Sequence, residues 1–170
     1  MTITRTLLCT AVAAALAAGA APQASAQSII AMTRPGNFTF GPALVAVPIA
    51  PGVFQTPAFF NAANQRFIVS YTAECAVAAA AGNTSTWLDL TIRVVNLGTG
   101  AITVLPPTVG GADAFCTSNG TAADDGWVMA AVNAVGGAGL PAGNYVVQVQ
   151  AALSGAGTGH LGDTSLIVWR

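Results

Sequence analysis

The chain has 170 residues, of which 54% are hydrophobic and only 6% are charged, with a formal net charge of −1. It contains no lysine, so it lacks the basic surface that gathers phosphates, and both nucleic acid and anionic lipid are disfavoured as partners. So little charge is unusual for the surface of a soluble monomer, which favours contact between apolar surface and another subunit or an envelope component.

Residues 1–26 have the three parts of a secretory signal peptide. Arg5 gives a positive start, an uncharged apolar run follows over 7–20, and Ala24 and Ala26 stand where signal peptidase needs small side chains. The apolar run is shorter than the roughly twenty residues that a bilayer core requires. We therefore predict cleavage after Ala26, export to the periplasm or the cell exterior, and no transmembrane segment after cleavage.

The remaining residues, 27–170, have the length of one domain with its own core. Cys9 leaves with the signal, so Cys75 and Cys116 remain as an even pair in an oxidising compartment. We predict a disulfide between them, worth about 4 kcal/mol on the chain-entropy model. Two free thiols are the alternative.

Residues 28–60 are the least regular part of this domain. Five prolines fall between Pro35 and Pro57, and proline removes hydrogen-bond donors from a sheet. The segment therefore predicts edge strands and loops rather than central strands. Five phenylalanines are available to anchor it to the core: Phe38, Phe40, Phe54, Phe59 and Phe60.

The clearest strands follow. Apolar residues alternate from Phe67 to Val77, with Cys75 on their face and Glu74 on the opposite one. A second alternating run covers 88–94, and Trp87 is out of phase with it, which predicts an outward indole. Turn residues at 96–100 and a returning arm over 101–105 predict a hairpin.

The second half of the domain continues the pattern. An irregular loop covers 106–126, and helix competes with strand over the apolar run 127–135. Alternation returns over 145–153, and a closing strand over 164–169 follows a glycine-rich loop. About eight strands without crossover helices predict an all-β fold, an antiparallel β-sandwich of the jelly-roll type.

The last thirty or so residues carry a resemblance to known proteins. The turn and strand Leu-Pro-Ala-Gly-Asn-Tyr-Val-Val-Gln-Val-Gln starts at Leu140, and the closing strand Leu-Gly-Asp-Thr-Ser-Leu-Ile-Val-Trp-Arg starts at Leu161. Together they look like small uncharacterised exported proteobacterial β-sandwich proteins. They are more distantly similar to jelly rolls of the C1q and tumour-necrosis-factor type. The resemblance implies assembly, commonly as trimers, and brings no catalytic residue.

Catalytic constellations are weak in this sequence. His160 is the only histidine, and no Gly-x-Ser-x-Gly elbow accompanies it. Asp124 and Asp125 are adjacent, so their side chains point apart in an extended loop rather than forming a glycosidase pair. We predict that the protein is not an enzyme, and a hydrolase would depend on His160 and the acids alone.

The loop over 106–126 is the candidate ligand site. Asp113, Asn119, Asp124 and Asp125 offer the hard oxygen ligands that calcium prefers, and Trp127 offers an apolar platform for a sugar ring. Their spacing matches no EF-hand, and the alternative is that these residues are turn formers. Apart from calcium, no cofactor is predicted.

These observations favour a secreted or surface protein, non-enzymatic, with a structural, assembly or binding role. Its expected partners are further copies of itself or a component of the envelope or its glycans. A calcium-assisted carbohydrate-binding module is one alternative. A pilin-like subunit is another, suggested by size, disulfide and alternation.

Overall fold

The computed structural model describes residues 27–107, 114–123 and 126–170, and the predicted signal peptide lies outside these ranges. The described residues form strands and no helix, and nothing among them is a helix long and apolar enough to cross a membrane. The strands are β1 (Ser28–Arg34), β2 (Phe38–Phe40), β3 (Val45–Ala46), β4 (Phe59–Asn61), β5 (Phe67–Ala78), β6 (Trp87–Asn96), β7 (Ile102–Val104), β8 (Ala114–Thr117), β9 (Val128–Gly136), β10 (Gly143–Ser154) and β11 (Thr158–Trp169).

The strands form two antiparallel sheets. In the five-stranded sheet, β1 and β2 both pair with one side of β11, and β5 and β9 follow on the other side. In the six-stranded sheet, β3 and β4 line β10, while β7 and β8 line the far side of β6. The prediction of an all-β antiparallel sandwich is confirmed. The described residues form eleven strands rather than about eight, because short strands form within the proline-rich segment and the 106–126 loop.

The core lies between the two sheets and follows from the alternation in the longest strands. Every second side chain of β5, from Phe67 to Val77, is buried, as the pattern predicts. The same holds along β10 from Tyr145 to Leu153. Apolar side chains from both inner faces interdigitate, which is how aligned sandwiches exclude water.

The proline-rich segment runs along the sandwich edges. Of its five phenylalanines, Phe40 and Phe59 are buried in the core, Phe38 packs partly against it, and Phe54 and Phe60 are exposed. Only part of the set therefore anchors the segment. The described chain begins and ends side by side, because Gln27 and Arg170 exchange two backbone hydrogen bonds of 2.8 and 2.9 Å.

The predicted disulfide is present between Cys75 of β5 and Cys116 of β8, with a Cα–Cα distance of 6.3 Å. Because β5 and β8 belong to different sheets, the bond ties the two layers together. The ambiguous run at 127–135 forms strand β9, which pairs with β5 along its whole length. The sheet supplies the hydrogen bonds there, so strand prevails over helix.

Arg34 is the one charged residue among the buried polar residues that the structure describes. Arg34 is 6% exposed and donates hydrogen bonds to the backbone carbonyls of Pro48, Gly36 and Leu161. The phenol of Tyr71 lies nearby, and burial raises its pKa, an effect that the Arg34 guanidinium and the Thr164 hydroxyl only partly oppose. Tyr71 therefore stays neutral at ordinary pH.

Candidate functional site

The predicted calcium ligands are only partly visible. Asp113, Asp124 and Asp125 lie outside the described residues. Asn119 accepts hydrogen bonds from the backbone N–H and the hydroxyl of Thr121, at 3.0 and 2.7 Å, which is the geometry of a turn former. Within the described ranges, no three histidine, cysteine or acidic side chains come close enough together to hold a metal.

Trp127, the predicted platform, is half-buried on the outer face of the five-stranded sheet. Its ring lies 6.0 Å from that of His160, and it covers Gly162 so closely that a Cβ there would come within 3.1 Å of the indole. The same Cβ would lie 3.1 Å from Glu74. Trp127 thus packs against the sheet beside the lone histidine and the lone glutamate of the chain.

A different tryptophan is presented to solvent on the outer face of the six-stranded sheet. Trp87 is 37% exposed, as its phase in β6 predicts. Its indole N–H donates to Asp89 at 2.9 Å, and the hydroxyl of Ser154 donates to the other oxygen of the same carboxylate at 2.5 Å. Two neighbouring strands therefore fix the orientation of this ring and leave its apolar surface exposed at one end of the sheet.

The same face continues away from Trp87 as a line of polar side chains. Arg93 donates through Nε to the amide oxygen of Gln148 at 2.9 Å, and Gln148 donates in turn to Gln55 at 3.0 Å. Between this chain and Trp87 stand Thr91 and Gln150, which are cross-strand neighbours. We call this set the polar strip. It consists of Gln55, Trp87, Asp89, Thr91, Arg93, Gln148, Gln150 and Ser154.

The polar strip offers groups that suit the binding of a polar ligand. Trp87 and Arg93 stand six residues apart on one strand, about 20 Å at roughly 3.3 Å per residue. Over that length the strip offers an aromatic surface, a carboxylate, amides and the outer nitrogens of a guanidinium, which together donate and accept hydrogen bonds. Asp89 is the single acidic residue of the strip, so the strip does not contain a pair of carboxylates that could act as acid and base.

The sequence signals only one end of this site. The outward position of Trp87 follows from its phase against Leu88, but the remaining members come together through the register of β6 on β10, in which Arg93 faces Gln148. Gln55 joins from a loop far away in sequence. Glutamines on the outer side of a strand are ordinary solvent-facing residues until that register is known.

No family model and no curated protein matches the chain. Solved structures do match it in fold. The VP2 subviral particle of infectious bursal disease virus aligns with 89% of this chain and 36% of its own, at 11% identity and a TM-score of 0.51. The Gx strain of the same virus aligns with 86% of this chain and 32% of its own, at 13% identity and a TM-score of 0.49.

A third match is the CBM22-1 xylan-binding domain of Xyn10C from Paenibacillus barcinonensis. It covers 85% of this chain and 96% of that domain, at 12% identity and a TM-score of 0.38. The chain spans about a third of the length of the viral chains it matches. Identities this low establish the architecture alone, and the chain is similar in fold to distant β-sandwich and jelly-roll domains.

Proposed function

We propose that the protein is an exported, non-enzymatic binding protein whose polar strip holds a carbohydrate polymer. The disulfide is compatible with an oxidising compartment, and the first 26 residues carry the features of an export signal. An exported protein meets cell-wall and extracellular glycans at high concentration, which makes them natural partners for an exposed polar face.

The observation that carries the proposal is the fixed orientation of Trp87. The exposed indole donates to Asp89, and Ser154 holds that carboxylate in place, so the ring is preorganised. Little conformational entropy is therefore lost when a flat apolar surface stacks on it. The C–H face of a pyranose ring is such a surface. The sugar hydroxyls then find donors and acceptors along the strip, of which Arg93 and Gln148 are already held in place.

The length of the strip favours a chain over a single sugar. Its length of about 20 Å accommodates several linked rings at once, and contacts repeated along a strand suit a repeating ligand. No calcium ion is needed in this arrangement, since the carboxylate of Asp89 is satisfied by Trp87 and Ser154.

The test is binding of the purified protein to insoluble peptidoglycan, cellulose, xylan and starch, measured by co-sedimentation, with Trp87→Ala as the variant. Loss of an aromatic stacking platform costs about 1–3 kcal/mol, so we expect the affinity for the bound polymer to fall by about fivefold or more. Arg93→Ala is expected to weaken it in the same direction.

Met129→Ala is the matched control, because Met129 is 70% exposed but lies on the other sheet. It is expected to bind as the original protein does, and thermal melting of all variants checks that each one folds. Binding that is lost equally in Met129→Ala, or kept in Trp87→Ala, would place the ligand elsewhere. No binding to any of the four polymers would count against a glycan altogether.

A further inference from the structure

The outer face of the five-stranded sheet carries opposite charges at its two ends. Arg66 directly precedes β5, and Glu74 stands on the same face of that strand about 26 Å further along, at roughly 3.3 Å per residue. Arg170 follows β11 at the Arg66 end, and its guanidinium donates to the carbonyl of Phe60 on the other sheet. Exposed Asp163 lies in the bulge next to Gly162, the cross-strand partner of Glu74, and accepts a hydrogen bond from the Gly36 N–H. Within the described residues, neither Arg66 nor Arg170 has an acidic partner.

Three rows of outward side chains cross the sheet between these charged ends. Each row is set by the register of β9, β5 and β11. Large apolar residues occupy the row next to the arginines: Val135, Ile68 and Trp169. The middle row is Asn133, Ser70 and Ile167. The row next to the acids holds small residues: Ala131, Thr72 and Ser165.

The two ends of the face also differ in the groups that line them. At the arginine end, Ile68, Val135, Trp169 and the two arginines line a hollow of about 300 Å³. At the acidic end, the Trp127 indole covers Gly162. The face therefore has a hollow lined by arginines at one end, and the Trp127 ring beside acidic residues at the other.

We infer that this face binds a second copy of the same chain. We consider a two-fold axis that lies between the five-stranded sheets of the two copies, over Ser70 and perpendicular to the strands. This axis reverses the order of the rows in the partner. It places the large row of one copy on the small row of its partner, and Arg66 over the partner's Glu74. The Trp127 end then faces the hollow, and both charge and side-chain size are complementary across the axis.

A second copy fits better than an unrelated partner because the match is self-complementary. Arg66 and Glu74 stand four residues on either side of Ser70, and the rows of Ile68 and Thr72 stand two residues on either side, as an isologous interface requires. Stacked sheets pack about 10 Å apart, and the small residues of the row next to the acids leave room for the large row of the partner at that distance.

The size of the face sets the expected strength of the dimer. Four strands at about 4.8 Å spacing and about 26 Å of length give a footprint of about 500 Å² per copy, toward the small end of specific interfaces. We therefore expect a dimer that dissociates in the micromolar range. The inference does not depend on glycan binding, since the polar strip lies on the other sheet.

Sedimentation equilibrium over a range of concentrations tests the dimer. Arg66→Glu and Glu74→Arg each set like charges against each other at two symmetric contacts, so each is expected to raise the dissociation constant by about tenfold or more. The double variant R66E/E74R restores opposite charges across the axis, and it is expected to recover the dimer of the original chain.

Ala142→Glu and Ala142→Arg serve as charge controls, since Ala142 is exposed in the loop before β10. Both are expected to leave the dissociation constant unchanged. A protein that stays monomeric at the highest concentration overturns the inference, as does a dimer that survives both single variants or a double variant that fails to recover it. Binding to polysaccharide, measured on the same samples, is judged separately through Trp87.

Discussion

At the residue scale, the buried guanidinium of Arg34 holds three segments of the chain together. It sits at the end of β1 and bonds to carbonyls of three separate segments: the turn after β1, the loop after β3, and β11. A planar fork with fixed donor directions can reach three acceptors at once. No acidic residue within the described ranges pairs with it, so these carbonyls compensate the cost of burying the charge.

Replacing Arg34 with lysine keeps the charge but not the fork. We expect the free energy of unfolding to fall by about 2–4 kcal/mol, because an ammonium group on a flexible stem leaves carbonyls of Pro48 or Leu161 unpaired in the interior. Urea unfolding followed by tryptophan fluorescence measures this. Arg93→Lys on the outer sheet face is the control, with an expected change within about 0.5 kcal/mol. Equal losses in both variants would contradict the role given to Arg34.

At the element scale, the disulfide joins two strands that the sheets do not connect. Cys75 is fully buried on β5, and Cys116 lies on the short strand β8 against β6. The double variant C75A/C116A opens a loop set by a sequence separation of 41, and we expect a loss of about 4 kcal/mol on the chain-entropy model. Melting in the presence and absence of reductant checks it. A reductant-insensitive melting temperature in the original protein would show that the bond contributes little.

The elements differ in how far the sequence foretells them. The alternation in β5 and β10 identifies both strands and their buried faces, because long strands with one dry face need period-two patterning. Strands such as β3 and β8 have too few residues to carry a pattern, and they form because β10 and β6 supply partners. Pairing between strands far apart in sequence decides which residues lie beside Glu74, through β5 on β11, and which residues form the polar strip, through β6 on β10. No local signal encodes either pairing.

At the scale of the whole molecule, the two proposals together predict a dimer that crosslinks polysaccharide chains. Stacking two copies through their five-stranded sheets turns the polar strips to opposite sides of the dimer, so one dimer reaches two different polymer chains rather than two sites on one. We expect the original protein to agglutinate beads coated with the bound polysaccharide. Arg66→Glu is expected to bind the beads without agglutinating them, and Trp87→Ala to dimerise without binding. Agglutination by Arg66→Glu at a concentration where it is monomeric would contradict this arrangement.

Gln27 and Arg170, the ends of the described chain, lie side by side, so the resistance of the sandwich to tension depends on the direction of pulling. Tension applied between those two residues opens β1 from β11 one hydrogen-bonded pair at a time, which is the weakest way to load paired strands. Tension applied across the layers instead meets the covalent bond between Cys75 and Cys116. A dimer that is held through the outer faces of its sheets therefore bears tension in the direction in which the sandwich is strongest. A protein pulled by Gln27 and Arg170 would instead lose β1 from β11.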